Sequence, residues 1–299
     1  MHLSDVYADR FGLSFEMFPP KTPAGDEALR GELARLAEYD PAFVSCTYGA
    51  GGSTRDRTLD WCRELKTDFD QNVTAHFTCV GSAQGDMAEW LDAAKRSGVS
   101  NIMALRGDLP QDENAGGPDG APWEPPPGGF RYANELVAFV RERFPEFGVG
   151  VAGYPEKHPE CVDPQTDLAN LKRKVDAGAH AVFTQLFFDN DHFLRFRDAC
   201  EDLGIDVPIV PGVMPVTDFA RIKRITAMCG SSFPEEFASA LEAVKDDKEG
   251  QFEVGVDWAV NQCRGLLEEG VPGMHFYVLN KAAATEQILD GMNLAPVPA

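Results

Sequence analysis

The feature that most constrains this chain is an alternation. Eight short runs of apolar and β-branched residues recur along it: LSFEMF from Leu13, FVSCTY from Phe43, VTAHFTC from Val73, NIMAL from Asn101, VGVAGY from Val149, AVFTQLFF from Ala181, VPIVPGV from Val207 and MHFYVL from Met274. They lie roughly 25 to 50 residues apart, except for a longer span before the last, with helical periodicity between them. Residues 27–39 place Leu29, Leu33 and Leu36 on one face; residues 87–97 are followed by Gly98, and residues 193–203 by Gly204, both stop signals for a helix. Strands alternating with helices predict parallel pairing through crossover helices. Eight repeats predict that the sheet closes into a (β/α)8 TIM barrel, and 299 residues is an ordinary length for one, so residues 1–299 are read as a single domain. An open doubly wound sheet would need a glycine-rich first turn, and no G-x-G-x-x-G follows an early strand.

The barrel carries a sharp expectation about function. Its working residues belong at the C-terminal ends of the strands. Polar side chains gather there: Glu16; Thr47 and Tyr48; His76 and Thr78; Arg106 and Asp108; Tyr154, Glu156 and His158; Gln185; Asn280 and Lys281. Polar groups buried without partners are costly, so seven strand ends carrying them point to one polar pocket at the mouth. Each has a plainer reading. Glu16 can be a rim carboxylate in a salt bridge, His76 a satisfied core histidine, and Arg106-Gly107-Asp108 a surface turn. A Pro/Gly-rich stretch at residues 112–129 follows the fourth strand on this same face, as a lid or as a passive insertion. Residues 217–273 hold further helices, read as an elaboration of the outer ring and a candidate oligomer surface.

Charge and cysteine usage narrow the partners. A formal charge of −21 excludes a nucleic-acid backbone as the expected ligand. No N-terminal apolar run resembles a signal peptide, and no apolar run of about 18 residues is present to span a bilayer. Seven scattered cysteines without a C-x-x-C fit reduced thiols in a cytoplasm, and argue against a structural zinc site or another metal centre.

Seven segments occur in order: FEMFPPKT at 15–22, TYGAGGSTRDRT at 47–58, AHFTC at 75–79, ALRGDLP at 104–110, YPEKHPE at 154–160, DLANLKRKVDAGA at 167–179 and TQLFFD at 184–189. Together they resemble methylenetetrahydrofolate reductase, from about Leu13 to the C-terminus. The resemblance implies an FAD-binding (β/α)8 barrel. It implies reduction of 5,10-methylenetetrahydrofolate to 5-methyltetrahydrofolate with NADH or NADPH, feeding methionine synthesis, in a homo-oligomer. It also implies no S-adenosylmethionine feedback, since the C-terminal regulatory domain of eukaryotic members has no counterpart here.

Residue by residue, the resemblance makes Glu16 the general acid that opens the folate bridge. Its apolar neighbours Phe15, Met17 and Phe18 predict a raised carboxyl pKa. Asp108 matches the aspartate beside flavin and pterin. Thr47, His76, Arg106, Gly107, Tyr132, Ala133, His158, Asp167, Asn170, Arg173 and Lys174 match FAD-contacting positions, with Gly107 letting backbone approach the cofactor. On residues 167–179, Leu168, Leu171 and Val175 are the face expected to pack on the barrel. Tyr154, Gln185 and Lys281 match substrate-side positions, although Lys281 stands where the bacterial pattern has arginine, which weakens any bidentate contact. Two other readings remain: another FAD barrel, such as a proline dehydrogenase relative, and a folate- or flavin-binding subunit without chemistry. Asp108 and Gln185 speak against the first, and retention of Glu16 against the second.

Overall fold

The structure is a computed structural model that describes residues 1–8, 10–49, 55–109 and 123–296. Residues 50–54 of the TYGAGG segment and 110–122 of the Pro/Gly-rich stretch lie outside the described residues, and so does the question of a lid.

The strands are β1 (Gly12–Met17), β2 (Phe43–Cys46), β3 (Val73–Thr78), β4 (Asn101–Leu105), β5 (Gly148–Gly153), β6 (Ala181–Thr184), β7 (Ile209–Val210), β8 (Gly212–Val213) and β9 (Gly273–Tyr277). Every pairing is parallel, in the order β7-β6-β5-β4-β3-β2-β1-β9-β8. The two ends of that order are consecutive in the chain. Pro211 separates them, and a proline offers no N–H to a ladder. Ile209 and Val210 therefore pair with β6, while Gly212 and Val213 turn to β9. One barrel strand is thus read as two, and the sheet closes as the alternation predicts. All strand residues are buried or nearly so, as expected for a parallel sheet covered on both faces.

The helices are α1 (Leu3–Val6), α2 (Pro23–Ala37), α3 (Arg55–Thr67), α4 (Gln84–Arg96), α5 (Ala133–Arg143), α6 (Pro164–Asp176), α7 (Asn190–Asp202), α8 (Phe219–Cys229), α9 (Glu235–Ala243), α10 (Lys248–Glu268) and α11 (Ala283–Gly291). Their ends follow local chemistry. Thr22 and Asp163 accept hydrogen bonds from the first turns of α2 and α6, each with proline in that turn, and α8 stops at Gly230 with φ 73°. Leu29, Leu33 and Leu36 of α2 are buried, as their spacing predicts.

One expectation is corrected, and one element is added to it. The run 181–188 leaves the sheet after Thr184; Leu186 and Phe188 pack with Phe219 and Phe237 in a separate cluster beneath α8 and α9. The short α1 precedes the alternation and lies outside the pattern of eight runs. Its Leu3 and Val6 close the floor of the barrel against Phe43, Met103, Phe183 and Val210.

Candidate active site

Glu16 sits at the C-terminal end of β1, opposite Tyr277 of β9 in register. Alternation along a strand points every second side chain inward, which puts Ser14, Glu16, His76 and His275 into one polar column. Glu16 Oε2 lies 3.1 Å from His76 Nε2 and 3.6 Å from His275 Nε2. The expected rise in the Glu16 pKa does not occur. Burial pushes it up, but the two imidazoles, His76 foremost, outweigh burial and hold the carboxyl down at about 2.

Arg106 leaves the end of β4 and forms a bidentate pair with Glu160, Nη1 at 2.6 Å and Nη2 at 2.9 Å. Its Nε also donates to the Gly107 carbonyl at 3.0 Å. Gly107 has φ 88°, and a Cβ there would stand 2.7 Å from Val80 Cγ1 and 2.9 Å from Thr78 Cβ. Its own turn thus requires glycine before any ligand is considered. Asp108 is exposed at the mouth, and its charge is felt by Arg106, Tyr154 and Cys229.

The segment after β5 folds onto α6. The His158 backbone N–H donates to Asp167 Oδ2 at 2.9 Å, and the His158 ring meets Tyr154 edge-on at 4.6 Å. Burial lowers the His158 pKa against the pull of Glu160. Burial, then the Asp167 charge, pushes the Tyr154 phenol up to about 12. Lys157 adopts φ 90° and is fastened there by its ammonium, which donates to the carbonyls of His158 at 2.9 Å and Cys161 at 2.6 Å. On α6, Leu171 is buried and Leu168 and Val175 pack on the core, as their spacing predicts. Lys174 turns inward to the Ala152 carbonyl of β5. Burial brings its pKa down to about 8, with Asp167 opposing. Arg173 is exposed and bonds Asn170 Oδ1 at 2.6 Å. A cavity of about 200 Å³ runs beside this segment, with Tyr154, Glu156, Asp167, Leu168 and Phe196 in its walls.

The remaining candidates are more scattered. Thr47 follows β2; its N–H donates to the Met17 carbonyl at 2.9 Å, which ties it to the Glu16 strand. Gln185 follows β6, and its side-chain oxygen accepts from the Leu186 N–H at 2.9 Å. Tyr132 is the exposed N-cap of α5 and Ala133 that helix's first residue, with Glu135 accepting from the Tyr132 N–H at 2.8 Å. Lys281 is exposed on the rim, its ammonium 3.5 Å from Glu32 of α2 rather than in the column.

Four side chains of the mouth escape a reading of the sequence alone. His275 and Tyr277 hide inside an apolar-looking run, Ser14 inside another, and Cys229 at the end of α8. Their significance lies in register: Ser14 pairs with His275, and the Tyr277 hydroxyl crosses to the Thr184 carbonyl at 2.6 Å. The only signal in the sequence is a histidine at an inward position of a barrel strand.

Comparison with known proteins follows the same lines. Residues 3–293 match the family model described as methylenetetrahydrofolate reductase. The 5,10-methylenetetrahydrofolate reductase of Escherichia coli is 37% identical over 287 residues, covering 96% of this chain and 92% of that protein. Methylenetetrahydrofolate reductase (NADH) 1 of Arabidopsis thaliana is 37% identical over 291 residues, covering 94% of this chain and 48% of that protein, so the chain spans about half the length of its plant relatives. Among solved structures, a Clostridium thermocellum protein that binds two copies of 5-methyl-5,6,7,8-tetrahydrofolic acid superposes with a TM-score of 0.62 at 12% identity, covering 96% of this chain and 95% of that one. At that identity the likeness shows the fold alone. The match along nearly the whole length of this chain and of its bacterial relative decides the family: the chain belongs to the methylenetetrahydrofolate reductases.

Proposed function

We propose that this chain reduces 5,10-methylenetetrahydrofolate to 5-methyltetrahydrofolate, using a hydride from NADH or NADPH carried through FAD, as a cytoplasmic step that feeds methionine synthesis. The observation that carries the reading is Glu16: a carboxyl at a strand's C-terminal end, in the family's acid position, with two imidazoles against one oxygen. The residues also fit FAD. Lys174 is an inward-facing cation whose charge burial disfavours, with a backbone carbonyl and the Asp167 charge as its company. Such a cation suits an anionic diphosphate, and Arg106 at the neighbouring strand end offers a second. When bound, FAD supplies the two-electron carrier between nicotinamide and folate.

The chain's own residues would then divide the work. Lys174 and Arg106 hold phosphate charge, and Asp167 and Asn170 meet ribose or adenine. Asp108, exposed at the mouth, accepts from the pterin's amino group, and Gln185 pairs with the pterin edge. Glu16 passes a proton to the departing nitrogen of the one-carbon bridge, so that the bridge opens to an electrophile. The plant relatives are named for NADH, which makes NADH the first reductant to test.

The test is the visible spectrum of the purified protein under anaerobic conditions. A flavin that bleaches with NADH or NADPH and recolours with methylenetetrahydrofolate is the expected result. A flavin that bleaches and stays bleached with the folate would overturn the substrate assignment, and a protein that cannot be reconstituted with FAD would overturn the cofactor.

A further inference from the structure

The acid assigned to Glu16 sits in a site that favours its ionised form, which raises the question of where the proton is kept. Ser14 and His275 face each other across the seam between β1 and β9, and both are buried. Ser14 Oγ lies 2.8 Å from His275 Nδ1 and 3.3 Å from the Met274 carbonyl oxygen. A hydroxyl has one hydrogen, and a carbonyl can only accept. Both contacts are satisfied in one arrangement: Ser14 donates to Met274 and accepts from His275 Nδ1–H. The imidazole's tautomer is thereby set. In the neutral ring, Nε2 carries a lone pair, 3.6 Å from Glu16 Oε2. Two buried lone pairs facing each other repel, and one proton on either atom removes the repulsion. His275 Nε2 has no other hydrogen-bond partner among the described residues.

We propose that Glu16 and His275 share one proton, with His275 the positioning residue that keeps the acid loaded and Ser14 the group that fixes the tautomer. The inference rests on the folate reading for the proton's destination, though not for its location. As the departing nitrogen's lone pair forms its bond to hydrogen, the proton leaves Glu16 Oε2. The carbon–nitrogen bond then breaks with its electron pair on nitrogen; the pair's one proton is spent, Glu16 is left ionised beside a neutral His275, and a proton taken up from solvent reloads the pair before the next turnover. The other titratable groups facing this pair are His76 of β3, 3.1 Å from the same oxygen, Cys46 of β2, Tyr277 of β9 and, beside Ser14, Tyr7 of α1. Burial holds Cys46, Tyr7 and Tyr277 in their neutral forms. His76 is the one rival for the proton.

Two measurements test this. The first is nitrogen NMR of protein labelled with ¹⁵N-histidine, with His275 assigned by its loss in His275→Asn. Hydrogen on Nδ1 is expected in the wild type, and that preference lost in Ser14→Ala. A wild-type ring with Nδ1 bare and hydrogen on Nε2 would overturn the proposal, whatever the substrate proves to be. The second is the pH profile of the folate half-reaction by anaerobic rapid mixing. In His275→Asn and Ser14→Ala the rate should fall about tenfold or more, less than loss of the acid itself. The pH at which activity is lost on the alkaline side should move downward, with flavin reduction by the nicotinamide within about twofold of wild type. A uniform fall at every pH, with the midpoint in place, would mean a structural role and overturn it. Should His275→Asn fail to fold, Ser14→Ala and the wild-type spectrum still decide. A wild type that reduces no folate would sink the functional reading and leave the tautomer result standing.

Discussion

The floor and the mouth of this barrel are built from the two ends of the same strands, and they treat polar groups in opposite ways. At the floor, Asn101 Oδ1 accepts from the Leu3 N–H at 2.8 Å and its amide donates to the Met1 carbonyl at 3.2 Å. Asn72 donates to the Met1 and Ala42 carbonyls at 2.9 Å and 3.0 Å, and His180 Nδ1 accepts from the Val149 N–H at 2.9 Å. These side chains are spent on backbone, and they seat α1. Beside them, the buried side-chain atoms without a partner among the described residues are hydroxyls, those of Tyr7 and of Thr74, which lies opposite Asn101 in register. At the mouth, the buried atoms left over among the described residues include His76 Nε2 and His275 Nε2, which have only the Glu16 carboxylate before them, and Glu156 Oε1, all able to carry or answer charge, beside the Ser45 hydroxyl opposite Glu16 in register. An unmet buried polar atom costs about 1–3 kcal/mol. That cost is tolerable where a ligand or a proton completes the set and pointless where none arrives. The difference separates a region built for stability from one built for chemistry.

The largest expected effect falls on the mouth. Glu16→Gln keeps the shape of the side chain and removes the acid. The folate half-reaction should slow by about 10²–10⁴-fold, while reduction of the flavin by the nicotinamide proceeds as before. Rapid mixing of each half-reaction measures both, and normal folate turnover in this variant would strip Glu16 of its role. The matching change at the floor is Asn101→Ala. It leaves the buried Leu3 N–H unmet and should lower stability by about 1–3 kcal/mol, read as a lower denaturant midpoint with both half-reactions unchanged per folded molecule. A shift in the folate half-reaction would mean that floor and mouth are coupled.

Much of this contrast is legible in the sequence, for reasons that differ between the two ends. The barrel follows from alternation because each strand's burial and each helix's apolar stripe are local. The polar strand ends are local too, so Glu16, Asp108, Tyr154 and Gln185 stand out. Electrostatics is not local. Glu16 reads as a carboxyl among Phe15, Met17 and Phe18, and its neighbours along the chain predict a raised pKa. Its neighbours across the barrel, His76 and His275, reverse the sign. His275 itself is hidden because MHFYVL reads as an apolar run, and only the register with Ser14 shows what it faces. The sixth strand is overread beyond Thr184 for a related reason: Leu186 and Phe188 are apolar because they enter a second cluster, not because they remain in the sheet.

Lys174 sharpens the contrast through pH. Its folded-state pKa of about 8 lies below the ordinary 10.5 because burial disfavours the charge. Between those values the unfolded chain binds more protons than the folded one, so stability rises with pH across that window and carries the full penalty below 8. Lys174→Met, of similar length and uncharged, should flatten that rise. It should raise the melting temperature of the FAD-free protein at pH 7 by a few degrees and weaken FAD binding by about tenfold or more, the worth of one charge-assisted phosphate contact. A variant that loses stability at pH 7 would show the ammonium to be a structural donor to Ala152 rather than a group held ready for a ligand.

The smallest effect belongs to the floor and has the same sign by the same linkage. Burial, helped by the Arg141 charge, holds His180 at about 4, below the ordinary 6.5. The folded protein therefore resists protonation there as pH falls. Stability present above 6.5 drains away between 6.5 and 4, where the unfolded chain takes up the proton first. In His180→Asn, the amide oxygen can replace Nδ1 as acceptor for the Val149 N–H without titrating. Stability at pH 7 should change by less than about 1 kcal/mol, within the net worth of one hydrogen bond. Melts between pH 7 and pH 4 should lose less stability than the wild type does. A wild-type slope retained in this variant would assign the floor's acid sensitivity to another group and leave His180 as an anchor for β5 alone.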